Sequence, residues 1–139
     1  MIAIEVKNVS HRVERFFLDN INLSIPKGKI TTIIGPNGSG KSTFLKIISQ
    51  LLACKSGEIC VYDQPVQRYK KKEFAKTVSM LPQSKQGLPD LTVKELVSYG
   101  RSPYKSTFQK RSSSEDEEII EWAMEVTGTS KYPDRMFHS

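Results

Sequence analysis

Apolar and polar side chains alternate at Ile2, Ile4 and Val6, the two-residue period of a half-buried strand over residues 2–9. A second alternation at Ile21, Leu23 and Ile25 ends on Pro26-Lys27-Gly28, a turn signal. Ile30-Thr31-Thr32-Ile33-Ile34 is short, β-branched throughout and apolar at both ends, which predicts a buried central strand running into Gly35. Past the glycines the period lengthens. Leu45, Ile48, Leu51 and Leu52 recur at three- and four-residue spacing and predict a helix with that apolar face. Residues 58–62 predict another short strand closed by Asp63-Gln64-Pro65, residues 70–76 a charged helix, and residues 78–81 a strand ending at Pro82-Gln83. The remainder is helical in character. Thr92-Val93-Lys94-Glu95 and Ser114-Glu115-Asp116-Glu117 fit capping boxes. The second opens a helix whose Ile119, Ile120, Ala123, Met124 and Val126 share a face, with Gly128 as its stop. Between the boxes, residues 101–114 are basic and serine-rich, an exposed connection, and no internal repeat is present.

Composition narrows the class. A chain of 139 residues, 37% hydrophobic and 26% charged, suits one soluble globular domain. No apolar run approaches the roughly 20 residues needed to cross a bilayer, and the first residues lack a secretory pattern, so the cytosol is the default compartment. Cys54 and Cys60 lack metal-site spacing and are expected to be reduced and structural. The net charge of +6 suits nucleic acid, an anionic surface or a nucleotide, and decides nothing alone.

The chemistry sits at Gly35-Pro36-Asn37-Gly38-Ser39-Gly40-Lys41-Ser42, which fits the Walker A spacing at every specified position. Glycines at 35, 38 and 40 permit backbone shapes and close approach that a Cβ blocks. Successive amides can then line an anion-sized concavity completed by the positive end of the following helix. Lys41 supplies a point charge for β- and γ-phosphates. Ser42 offers a hard oxygen for Mg²⁺, and Thr43 a hydroxyl towards the α-phosphate. Asp63 superficially fits a Walker B aspartate, but a place in the turn Asp63-Gln64-Pro65 is the favoured reading.

Further text carries a likeness. Val9-Ser10, Leu18-Asp19-Asn20-Ile21-Asn22-Leu23-Ser24-Ile25-Pro26-Lys27-Gly28, the loop Gly35 to Thr43, Ser56-Gly57-Glu58-Ile59 and Met80-Leu81-Pro82-Gln83 together resemble the N-terminal part of an ATP-binding-cassette (ABC) ATPase subunit. The resemblance implies an α/β P-loop NTPase fold, a RecA-like core with an antiparallel β subdomain over about 1–86, then the start of a helical subdomain over about 87–139. It implies ATP and Mg²⁺ as ligands. Gln83 is then the Q-loop glutamine, touching Mg²⁺ or the attacking water and sensing the membrane partner. Leu91-Thr92-Val93-Lys94-Glu95-Leu96-Val97 with Tyr99-Gly100-Arg101-Ser102-Pro103-Tyr104 is similar to importers of iron-siderophore complexes, haem and vitamin B12.

That likeness implies a transport-coupled ATPase at the cytoplasmic face of the membrane. Its partners would be permease subunits, a second copy of the ATPase and, indirectly, a substrate-binding protein, with no nucleic acid. Lys70-Lys71-Lys72 reads as a solvated helix end, whereas Arg101, Lys105, Lys110 and Arg111 read either as plain surface charge or as part of the membrane-subunit face. Two departures stand out. The place for an adenine-stacking aromatic holds Arg12 or Val13, with His11, Phe16 and Phe17 as substitutes. The Leu-Ser-Gly-Gly-Gln signature, the Walker B strand, the catalytic glutamate and the switch histidine do not occur; Asp134 to Ser139 resembles the text before that signature, so the expectation is a truncated, inactive subunit. A soluble ABC ATPase, another P-loop NTPase or kinase, and a non-catalytic nucleotide-binding remnant remain alternatives.

Overall fold

A computed structural model describes residues 1–83, 90–106, 108–109 and 111–137. They fall into two units, Met1–Met80 and Leu81–Ser139.

The first unit is built on a four-stranded sheet of order β2-β1-β3-β4, every neighbouring pair antiparallel. Strands β1 (Ile2–Val13) and β2 (Phe16–Pro26) form one long hairpin that extends well past the expected first strand. Its buried residues break strict alternation, since Val6 and Val9 both face the core. A bulge explains this: the register shifts between Val6 and Val9, and Asn8 between them has φ 51°. Strand β3 (Ser56–Val61) pairs with β1 and turns through Tyr62 and Asp63, both at positive φ, into the two-residue β4 (Gln64–Pro65). A short 3₁₀ turn, Val66–Arg68, and helix α2 (Lys71–Thr77) follow.

Helix α1 (Lys41–Ile48) buries Phe44, Ile47 and Ile48 with Val6, Val9, Leu18, Ile59, Val61 and Val66 to make the core. This corrects the expected face. Leu45 is exposed, and Leu51 and Leu52 lie beyond the helix. The helix stops because Gln50 takes a left-handed conformation at φ 61°, with Gln50 N bonding Ile47 O and Leu51 N bonding Lys46 O. That is a Schellman cap carried by glutamine rather than glycine.

Two expected strands do not form. Residues 30–34 join no strand pairing, with Ile30 98% and Ile34 90% exposed and only Ile33 of the five touching the core. Residues 78–81 likewise join no ladder. A strand is held by its neighbours' backbone groups, and among the described residues none lies alongside either segment.

In the second unit, helix α3 (Val93–Ser98) begins at Thr92 with the expected capping box to Glu95. A 3₁₀ helix, Tyr99–Tyr104, follows directly where an open connection was expected. Helix α4 (Ser114–Val126) is also boxed, but one residue earlier than expected: Ser113 is the N-cap and Asp116 its partner, not Ser114 and Glu117. Gly128 ends it, with Thr129 N on Met124 O and Gly128 N on Glu125 O. Ile120 and Met124 are buried on the inner face, whereas Val126, expected to join them, is exposed. Residues 133–137 run back along the start of α3, giving Val93 N to Arg135 O, Lys94 N to Pro133 O and a bridge between Thr92 and Met136. Among the described residues no helix is long and apolar enough to cross a membrane.

Candidate functional site

The glycine loop forms the entry to α1. Ser39 N bonds Pro36 O at 3.1 Å, closing a turn through Asn37 and Gly38. Gly40 is the N-cap at φ 96°, a left-handed conformation costly for any residue with a side chain. Space is also missing there, since a Cβ on Gly40 would lie 2.1 Å from Phe16 Cζ and 3.0 Å from Leu18 Cδ2. The β1–β2 hairpin therefore lies directly against the loop.

Lys41 opens α1, and its ammonium turns back into the loop. It donates to Gly35 O, to Pro36 O at 2.8 Å and to Ser39 Oγ at 3.4 Å. A lysine ammonium carries three donors, and here all three point at the ring of loop atoms. Among the described residues no side chain caps α1 and no acidic residue stands in its first turn, so they leave the positive end of the helix uncompensated. Ser42 is exposed and Thr43 half-buried on that first turn. Beside the loop a cavity of about 340 Å³ is lined by Ile33, Ile34, Gly35, Ser39, Lys41 and apolar residues of β2. The loop and helix start thus combine backbone donors, one fixed cation and, at Ser42, an exposed hydroxyl, the features that suit a small anion.

The site residues read from the sequence are thus partly brought together. Gly35, Pro36 and Ser39 converge on the ammonium of Lys41, and Ser42 and Thr43 follow it on the first turn of α1. Gln83 is an exposed residue of the second unit, just before residues 84–89, which lie outside the described ones. Lys110 also lies outside them. Asp63 is the second residue of the β3–β4 turn at φ 63°, so its Walker B likeness is superficial. Among the described residues no cluster of acids, histidines and cysteines could hold a metal. Cys54 is a free thiol that donates to Ser10 O at 3.0 Å, and burial pushes the free Cys60 thiol up, as inert structural cysteines behave.

The substitutes for a stacking aromatic separate by environment. Phe16 is half-buried over Gly40, and His11 carries a buried Nε2 with no hydrogen-bond partner among the described residues. Arg12 and Phe17 face each other across the hairpin, and Phe17 is exposed. They line a hollow of about 350 Å³ with Glu14, Arg15 and Phe16. Alternation from Leu18 back to Phe16 could have revealed the inward role of Phe16.

Arg101 corrects the surface reading. Its Nε bonds Asp116 Oδ1 at 2.8 Å, both side chains are largely buried, and its guanidinium lies 3.9 Å over the Tyr104 ring. Asp116 Oδ2 accepts from Ser113 N, and Asp116 N bonds Ser113 Oγ. Arg101 first, then the Ser113 amide, hold the Asp116 carboxyl below the usual carboxylate range. The Gly-Arg-x-Pro-aromatic element therefore staples the 3₁₀ helix to the start of α4.

A glycine loop of Walker A spacing capping a helix against the sheet marks the class as a P-loop fold. A sequence profile described as ABC transporter matches residues 18–139, and the chain belongs to that family. It is 45% identical over 122 residues to the iron(3+)-hydroxamate import ATP-binding protein FhuC of Bacillus subtilis, covering 88% of this chain and 45% of that one. It is 41% identical over 139 residues to the petrobactin import ATP-binding protein FpuC of Bacillus anthracis, covering all of this chain and 50% of that one. Among solved structures it resembles a putative metal-chelate type ABC transporter in an inward-facing conformation, with TM-score 0.78, 25% identity, and coverage of 99% of this chain and 50% of that one. An ATP-binding cassette of an ABC transporter in its ADP conformation matches with TM-score 0.71 and 29% identity over 97% of this chain and 57% of that one. The chain thus spans about half the length of the curated relatives it matches.

Proposed function

We propose that this chain binds the triphosphate of Mg-ATP and forms part of the energy-coupling subunit of an importer of iron-siderophore complexes. The observation that carries the nucleotide reading is the ring of loop atoms around the Lys41 ammonium at an uncapped helix start. An incoming phosphate chain replaces the loop carbonyls as acceptors of those ammonium donors. The amides of Gly38 and of Gly40 to Thr43 take the remaining phosphate oxygens, and the helix end favours their charge.

Ser42 suits Mg²⁺, because an exposed hydroxyl on the first turn is a hard ligand beside the phosphates; Gln83 is the second ligand in this reading. Bound there, Mg²⁺ neutralises charge on the β- and γ-phosphates. Gly35, Pro36, Asn37, Gly38, Ser39, Gly40, Lys41, Ser42 and Thr43 are the binding residues, and Gln83 the positioner of water. The hollow of Arg12 and Phe17 is the candidate seat of the base. In the same reading Met1–Met80 corresponds to the β subdomain and phosphate-loop core, and the second unit begins the helical subdomain. Residues 30–34, where Ile30 and Ile34 are exposed, pair in that reading with strands from the rest of the subunit. The importer assignment rests on the import functions of the similar proteins and on Gly100-Arg101-Ser102-Pro103-Tyr104. On that reading the chain works at the cytoplasmic face of a membrane, with permease subunits and a second copy as partners.

The test is calorimetric titration of Mg-ATP into the chain and its Lys41→Ala variant. A charge-assisted contact is worth about 1.5–3 kcal/mol, so affinity should fall by roughly ten- to a hundredfold. Equal affinity in both would overturn the reading.

A further inference from the structure

Helix α4 carries two apolar faces, and only one of them is buried. Ile120 and Met124 point inward and are buried. Ile119, Trp122 and Val126 recur at three and four residues on the other side of the helix, with Trp122 63% and Val126 66% exposed. Residues three and four apart lie along one strip. Along one flank of that strip run Glu118, Glu121 and Glu125, with Glu115 at its N-terminal end.

The acids of α4 divide the same way. The inner ones are neutralised within the unit, Asp116 by Arg101 and Glu117 by Lys94 at 3.5 Å. The four outer glutamates are exposed and form no ion pair among the described residues. The helix contains no lysine or arginine, although the whole chain carries +6. A tryptophan this exposed beside an apolar neighbour is the residue type that anchors interfaces. The one-sided carboxylate row adds a sign and an orientation.

We infer that the outer face of α4 docks a basic amphipathic helical segment of another protein, Trp122 and Val126 taking its apolar stripe and the glutamates its lysines and arginines. The mode is helix against helix face, with charge complementarity setting the register. It rests on the second unit alone and is independent of nucleotide binding.

Trp122 is the single tryptophan of the chain, so its emission reports this face directly. The full chain is titrated with a synthetic amphipathic helix of leucines and one flank of lysines, and with a twin carrying glutamates instead. The lysine peptide should give a saturable blue shift and protection from acrylamide quenching, both weakened by salt. Val126→Asp and the pair Glu118→Lys with Glu121→Lys should each weaken binding about tenfold. Asp19→Lys, a reversal in the exposed part of β2, should leave it unchanged. Four results would overturn the inference. These are an equal response to the glutamate peptide, equal weakening by Asp19→Lys, emission already blue and quencher-protected in the free chain, and a shift that follows the chain's own concentration, which would make a second copy the occupant.

Discussion

The ring of Phe16 lies against the backbone of Gly40 with no room for a methyl group between them, a Cβ on Gly40 falling 2.1 Å from Phe16 Cζ. One residue belongs to the start of β2 and the other caps α1, so the sheet fixes the shape of the phosphate loop through this contact.

Gly40→Ala is therefore expected to destabilise the first unit by about 2–4 kcal/mol, the sum of overpacking and an unfavourable left-handed backbone. Phe16→Leu in the same chain should recover the overpacking share and leave the backbone share. Urea denaturation of both single variants and the double variant separates the two. Full additivity of the two changes would show that the ring and the glycine are not coupled.

Much of this site was legible because its chemistry is local in sequence. Gly35 to Ser42 specify a loop by spacing alone, and the box at Thr92 needs only Glu95 three residues on. The failures are non-local or one residue wide. Residues 30–34 read as a central strand because their side chains suit one, yet strand formation needs neighbours. The end of α1 was missed because Gln50, not glycine, takes the left-handed position. The bulge at Asn8 put Val6 and Val9 on one face against the two-residue period. Arg101 read only as plain surface charge or as part of a membrane-subunit face, because its partner Asp116 lies 15 residues away, beyond helix spacing. Ser113 and Ser114 are equally good caps by type, and the choice falls to Ser113 because Asp116 can then serve both Ser113 N and Arg101.

That choice makes a separable prediction. Ser113→Ala removes the N-cap acceptor for Asp116 N and should cost about 1 kcal/mol, whereas Ser114→Ala, the favoured cap from sequence, should be near neutral. Helicity followed by circular dichroism through a urea titration distinguishes them. A larger loss at Ser114 would place the helix start wrongly.

Acid should loosen the same corner. Arg101 and the Ser113 amide hold Asp116 below its ordinary value, and the Thr92 amide and hydroxyl do so for Glu95. An unfolded carboxyl takes up its proton at higher pH than these folded ones. The stabilisation is thus complete above the unfolded value and is lost as pH falls through the folded one. Stability of the second unit should be flat from about pH 7 to 5 and decline below about pH 4. Asp116→Asn should lower stability at neutral pH and flatten that decline. Identical pH profiles for the two proteins would remove the pair from the explanation.

The exposed isoleucines allow a test of where burial stabilises this chain. Ile30 and Ile34 project almost fully into water, so they contribute next to no transfer free energy to the fold as it stands. Their replacement by lysine should change unfolding free energy by no more than about 0.5 kcal/mol, as at other exposed sites. Self-association should respond far more, because an unpaired β-branched segment of low charge is a template for edge-to-edge pairing. Light scattering at rising concentration is expected to show the Ile30→Lys, Ile34→Lys chain staying monodisperse where the parent aggregates. A Val6→Lys control, at a position 1% exposed, should instead unfold the sheet, since it puts a charge among Val9, Ile59 and Val61. If the two isoleucine changes proved as damaging as Val6→Lys, residues 30–34 would have to be packed within this chain rather than standing free of it.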